Sequence, residues 1–184
     1  MSRSKNIVLG VTGSIAAVKS LSTAKALRES GFAIRVAMTH SARQVITPQV
    51  MRAVAETAPY VDMWWPDDEE GGERHVELAR WAQAILIAPA TASCIGSLAN
   101  GLYDNCVTLV AGNLSPGKWL IAPAMSQEMW AQTAVQENVQ RLLAWGATLI
   151  GPVSGQVASG AAGQRMTEPD EIARRVNLWW EKSA

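Results

Sequence analysis

Four short apolar runs, none longer than six residues, recur along the chain with longer segments of helical period between them. Ile7 to Val11, Ala33 to Met38, Ala84 to Ala88 and Trp119 to Ala122 read as buried strands, with a weaker fifth at Ala147 to Ile150. The intervening segments predict helices over Ile15 to Glu29, Ala42 to Glu56, a short stretch after Thr91, Gln127 to Trp145 and Pro169 to Trp180. Gly31 and Gly146 stand where a helix must stop in a left-handed residue before the next strand. Strand and helix in strict alternation require crossover connections. The expected fold class is therefore α/β: a Rossmann-like or flavodoxin-like three-layer sandwich with a mostly parallel sheet.

In such a sheet ligands bind beyond the carboxyl ends of the strands, which directs attention to the residues after each apolar run. These are Thr12-Gly13-Ser14, Thr39-His40-Ser41, Pro89-Ala90-Thr91-Ala92-Ser93 and Pro123-Ala124-Met125-Ser126, all rich in hydroxyl groups and small side chains. Two further segments lack periodicity. Asp67 to Gly72 is acidic and reads as a solvated loop before an element opening at Arg74 or His75; Ser154 to Arg165, rich in Gly, Ser and Ala, reads as a long functional loop.

Gly13-Ser14-Ile15 joins the first strand to the first helix, where free backbone N–H groups and the helix dipole make an anion site. A phosphate is expected there, although a Gly-Ser turn with a helix cap uses the same letters. A dinucleotide site would carry G-x-G-x-x-G and an acidic residue ending the second strand. This chain has neither, since its second strand runs into Met38-Thr39-His40-Ser41. FMN, with one phosphate and a polyol, fits these residues better than NAD.

His75 is the side chain most easily tuned to act as a base near neutral pH, and it is equally an ordinary helix-start residue. The two cysteines, Cys94 and Cys106, and the two histidines show no metal-type spacing, so no metal is expected. Lys and Arg total 16 against 16 Asp and Glu, with no basic stripe for nucleic acid or anionic lipid. No apolar run is long enough for a membrane span, and the few cysteines suit a reducing compartment, so the expectation is one cytoplasmic domain over residues 1–184. Eight tryptophans against one phenylalanine, with adjacent pairs at 64–65 and 179–180, suggest indoles at an interface or capping the core.

Six motifs in fixed order carry a resemblance: Gly13-Ser14-Ile15-Ala16-Ala17-Val18-Lys19, His75-Val-Glu-Leu, Pro89-Ala-Thr-Ala-Ser-Cys94, Gly101-Leu-Tyr-Asp-Asn105, Ala122-Pro-Ala-Met-Ser-Gln-Glu-Met-Trp130 and Gly163-Gln-Arg-Met-Thr-Glu-Pro169. Over roughly residues 5 to 180 the chain resembles the homo-oligomeric flavin-containing cysteine decarboxylases. That family includes phosphopantothenoylcysteine decarboxylase and the peptidyl-cysteine decarboxylases of lantibiotic pathways. The resemblance implies FMN held by Gly13, Ser14, Ile15, Thr39, Ser41, Pro89, the Thr91-Ala92-Ser93-Cys94 stretch and Ala124, at a contact between subunits of a trimer or a trimer-based assembly.

It further implies His75, Ser126 and Ser159 at the catalytic positions, and Met125, Ser126, Met129, Arg165 and Met166 against the substrate, a small-molecule or peptide thiol carboxylate. In the family the substrate thiol is oxidised toward a thioaldehyde, the carboxylate beta to it leaves, and an enethiol results. Ser126 stands where the family has asparagine, and Ser159 where members that complete the coenzyme A reaction have cysteine in the clamp over the substrate. A hydroxyl is a much weaker acid than a thiol, which implies a reaction that stops at the oxidised enethiol. Oxidative decarboxylation of a peptide C-terminal cysteine, or an FMN-binding regulatory protein without turnover, stays open beside the coenzyme A reading. A flavin prenyltransferase fits less well, because that family lacks the His75 and Pro-x-Met motifs.

Overall fold

The computed structural model describes residues 4–55, 57–61, 74–156, 160 and 162–183. Its centre is a five-stranded parallel sheet of β1 (Lys5–Val11), β2 (Phe32–Met38), β3 (Ala84–Ala90), β4 (Trp119–Pro123) and β6 (Thr148–Leu149), in the order β2-β1-β3-β4-β6. β3 and β4 are buried at every position, as their unbroken apolar runs require of strands covered on both faces.

One core lies between the sheet and α1 (Ser20–Glu29) with α8 (Pro169–Ser183); the other lies under α3 (Arg74–Trp81), α4 (Ala92–Ala99), α5 (Cys106–Gly112) and α7 (Thr133–Ala144). The expected three layers are thus present. Gly31 and Gly146 hold φ of 85° and 97°, the left-handed turns expected before β2 and β6.

Several expected boundaries are corrected. The helix expected over Ala42 to Glu56 is a 3₁₀ turn at Ala42–Gln44 and a separate α2 at Pro48–Arg52. Proline cannot continue a helix from behind and drives the preceding residue to extended backbone; Thr47, at ψ 150°, instead caps α2. The segment from Gln127 to Trp145 divides at extended Gln132 into α6 (Gln127–Ala131) and α7, and the amide Nε2 of Gln136 donates to the Trp130 carbonyl beside the break.

Helix α5 was not anticipated because its short, mostly apolar stretch has no clear periodic face. Its start signal was Asn105, whose side chain accepts from the Val107 and Thr108 N–H groups.

The segment expected to be a long loop contains two strands. β7 (Val153–Gln156) and β8 (Ala162–Arg165) pair antiparallel, and β8 also pairs with β5 (Met125–Ser126), so Ser126 faces Gly163 and Met125 faces Gln164. Exposed Gly- and Ser-rich residues carry little strand propensity, and pairing to β5 supplies the order that local sequence lacks.

Among the tryptophans, Trp119 is buried and its indole N–H reaches the Ala111 and Leu114 carbonyls. Trp179 and Trp180 pack on the core, Trp180 edge-on to Phe32 at 5.4 Å; this assigns the second pair to core capping. The pair at 64–65 lies outside the described residues.

Candidate functional site

The order β2-β1-β3-β4-β6 reverses direction between β1 and β3, and at that switch point two crossovers leave in opposite directions and open a crevice. A cavity of about 410 Å³ occupies it, within the size range of small-molecule sites. Its wall is built from the turns after β1, β2 and β3, from the residues leading into α5, and from Met129 of α6.

Thr12 joins the two central strands. Its buried Oγ1 donates to the Pro89 carbonyl at 2.8 Å and accepts from the Thr91 N–H at 3.1 Å, so the ends of β1 and β3 are held at one spacing. Thr91 caps α4 in turn, its Oγ1 accepting from the Cys94 N–H. This leaves the first-turn N–H groups of Ala92 and Ser93 at the cleft wall with no acceptor inside the helix.

Across the cleft Gly13 lies against Ser41. A Cβ at Gly13 would stand 2.4 Å from the Ser41 Cβ, so only glycine permits the turns after β1 and β2 to come this close. Ser14 caps the following 3₁₀ turn (Ile15–Lys19) by accepting from the Ala16 N–H.

Of the cofactor residues expected from sequence, Gly13, Thr39, Ser41, Thr91, Ala92, Ser93 and Cys94 line this cleft, and so does Met129. Ser14, Pro89 and Ala124 lie outside its wall but support it through the Ser14 cap, the Thr12–Pro89 bond and the Ala124 N–H to the Ala90 carbonyl. Ile15 points outward, 59 % exposed.

Ser126, half-buried, caps α6 by accepting from the Met129 N–H, which ties it to a cleft residue. Arg165 is on β8 and pairs with Glu168; Met166 is 2 % exposed and packs in the core rather than on the cleft. His75 is the second residue of α3, half-buried, on a helix that packs against α5; it is not part of the cleft wall. Ser159 lies outside the described residues.

Sequence reasoning pointed to Thr12 only as a residue after the first strand, and to Asp104 and Asn105 only as part of a motif, without giving them a site role; it did not single out Ser97, and all four line the cleft. An Asn directly before an apolar run was the available signal for Asn105.

The electrostatics of the wall exclude one role and favour another. Burial, with the Asp104 carboxylate adding to it, pushes the Cys94 thiol up to about 12, so Cys94 is a protonated packing residue and not a nucleophile. No Lys or Arg is among the described residues that line the cleft. An anion there would be held by N–H groups and hydroxyls, as at other helix-start phosphate sites. The contact between Gly13 and Ser41, the hydroxyl-bearing wall and the lack of an acid after β2 together suit a singly phosphorylated polyol such as that of FMN.

Comparison with known proteins gives the same direction. The coenzyme A biosynthesis bifunctional protein CoaBC of Vibrio cholerae is 41 % identical over 170 residues, which are 91 % of this chain and 42 % of that protein. The corresponding protein of Escherichia coli K12 is 38 % identical over 166 residues, 90 % of this chain and 40 % of its own. The chain thus spans about two fifths of the length of these relatives.

Among solved structures, a cysteine-to-serine mutant of PPC decarboxylase complexed with pantothenoylaminoethenethiol aligns with a TM-score of 0.83 at 30 % identity, covering 97 % of this chain and 100 % of that one. The FMN binding protein AtHal3 aligns with a TM-score of 0.83 at 28 % identity over 99 % and 100 % of the two chains. The FMN-dependent cysteine decarboxylase SpaF aligns with a TM-score of 0.78 at 31 % identity, covering 97 % of each. The Flavoprotein family pattern matches from residue 1 to 179, and a match of that extent, with relatives of this identity across nine tenths of the chain, means that this chain belongs to the Flavoprotein family.

Proposed function

We propose that the chain is an FMN-dependent decarboxylase of a cysteine-derived thiol carboxylate, with phosphopantothenoylcysteine, on the route to coenzyme A, as its substrate. The observation that carries this reading is the switch-point cleft, whose hydroxyl-bearing wall includes Met129, the residue whose N–H is capped by Ser126 of the small sheet. The 41 % identity to a coenzyme A biosynthesis protein and the fold shared with a PPC decarboxylase support the choice of substrate.

When bound, the flavin supplies a two-electron acceptor for the substrate thiol, and the resulting thiocarbonyl is the electron sink for the departing carboxylate. The protein's part is orientation. Gly13, Ser14, Thr39, Ser41 and the start of α4 hold phosphate and polyol; His75 acts as base or positions the substrate; Ser126, Met125, Met129 and Arg165 bind it, with Met166 shaping the site from within the core. Ser159, with a hydroxyl in place of a thiol, leaves the product at the oxidised enethiol.

Exposed Ile15, Val18, Leu102 and Met129 stand on the segments bordering the cleft and support a trimeric or trimer-based assembly in which a neighbouring subunit covers it. Among the described residues no helix is long and apolar enough to cross a membrane, and no group of side chains could hold a metal ion. We place the chain in the cytoplasm as a single flavoprotein domain over 1–184.

The test is mass spectrometry of candidate substrates after incubation with the flavin-loaded protein. Loss of CO2 and two hydrogens from phosphopantothenoylcysteine is the expected result, and no saturated phosphopantetheine is expected in an anaerobic single turnover. Ser159 favours one second reading, oxidative decarboxylation of a peptide C-terminal cysteine, because no reduction step is needed there. The same mass loss confined to such peptides would establish it instead. If wild type binds FMN and changes neither substrate, while Ser126→Asn restores turnover, the protein is an FMN-binding regulatory relative.

A further inference from the structure

The two halves of the site come from different parts of the fold. The cofactor half is built on the ends of the large sheet, the substrate half on β5 of the small one. One side chain outside both is bonded to both. Glu168 Oε1 accepts from Lys19 Nζ at 2.7 Å and from Arg165 Nη2 at 2.7 Å. Lys19 closes the 3₁₀ turn that Ser14 caps, and Arg165 ends β8, which pairs with Met125 and Ser126.

We infer that Glu168 is a positioning residue that sets the β5–β8 pair, and with it Ser126, relative to the turn carrying the cofactor phosphate; the chemistry it serves rests on the decarboxylase reading.

Exposed ion pairs in general contribute little, because two long side chains must be ordered in water. Here much of that ordering is already complete. Met166 and Thr167, just before Glu168, are each 2 % exposed; the Thr167 hydroxyl donates to the Ile150 carbonyl, and the Glu168 carbonyl accepts from the Ile172 N–H at the start of α8. The carboxylate therefore projects from fixed backbone, and one oxygen serves two cations that approach from opposite halves of the site. The two cations hold the Glu168 carboxyl below the usual carboxylate range, the hydrogen bond from Lys19 contributing most. Its consequence is geometric more than stabilising, since the three charged side chains themselves stay partly exposed and belong to neither core.

The experiment is amide hydrogen exchange at residues 125–126 and 162–165 in wild type, Glu168→Gln, Lys19→Met and the double variant, with and without FMN, alongside kcat and KM. In Glu168→Gln, exchange at β5 and β8 is expected to quicken about three- to fivefold, the scale of one exposed ion-pair network. Protection of α8 and flavin content stay at wild-type levels, and kcat falls. Lys19→Met reproduces the effect, and the double variant adds nothing. Unchanged exchange at β5 and β8, additive effects of the two substitutions, or equal loss of protection in α8 overturns the inference. The exchange measured without FMN decides it even if no substrate is decarboxylated, so its failure is distinguishable from failure of the functional reading.

Discussion

Replacing Gly13 with alanine tests the cofactor half of the site most directly. The new Cβ would lie 2.4 Å from the Ser41 Cβ and 3.2 Å from the Ser41 carbonyl carbon, against about 3.4 Å for ordinary contact. The turns after β1 and β2 must then part by about 1 Å. Inserting a methyl group into such a contact costs about 1–3 kcal/mol. Ser41 is on an exposed turn and can give way, so the cost falls on the geometry of the phosphate site more than on the fold. Converted to affinity, the range is a loss of about 5- to 150-fold in FMN binding.

The assay is titration of apoprotein by flavin fluorescence, run in parallel with riboflavin. Riboflavin lacks the phosphate, so its affinity should fall much less and the preference for FMN should shrink. Gly117→Ala is the control, with nothing within 4 Å of its new Cβ, and should bind as wild type. A folded Gly13→Ala protein that takes up FMN within twofold of wild type, or loses riboflavin equally, would refute the placement of the phosphate at this turn.

Thr12→Val keeps the shape but leaves the Pro89 carbonyl and Thr91 N–H without their buried partner, at about 1–3 kcal/mol; the melting temperature should drop about 2–4 °C per kcal/mol and FMN affinity should fall with it. Asn105→Ala removes the cap of α5, costing about 1 kcal/mol, and loosens flavin binding because Asn105 is also a wall residue; unchanged melting would contradict the cap. For Cys94, the folded thiol titrates near 12 against 9.0 unperturbed, so N binds more protons than U between those values. Stability from this residue is complete below about 9 and is lost as pH rises toward about 12, and native Cys94 should resist alkylation at pH 8 until denaturant is added; rapid labelling of the folded protein would disprove the burial.

The resemblance to cysteine decarboxylases could be read from linear motifs because their spacing survives without any coordinates. Which members meet in space could not. Gly13, Ser41 and Thr91 converge because parallel strands point their carboxyl ends to one edge, and the alternation of apolar runs was enough to predict that convergence. The site role of Asp104 and Asn105 was hidden for the converse reason. They precede a short helix buried at five of its seven residues, and a helix so largely buried leaves no clear polar period to detect.

By itself the sequence determined the layered α/β architecture, the glycine stops before β2 and β6, and the hydroxyl-bearing turns that line the cleft, since each follows from local preference and short-range pattern. Tertiary structure alone decided the order β2-β1-β3-β4-β6, the strands hidden in the stretch from 153 to 165, and the meeting of Lys19 with Glu168 across 149 positions. Those features depend on pairing between distant segments. The partner that supplies the hydrogen bond or the charge is nowhere near in the chain, and only folding brings it within reach.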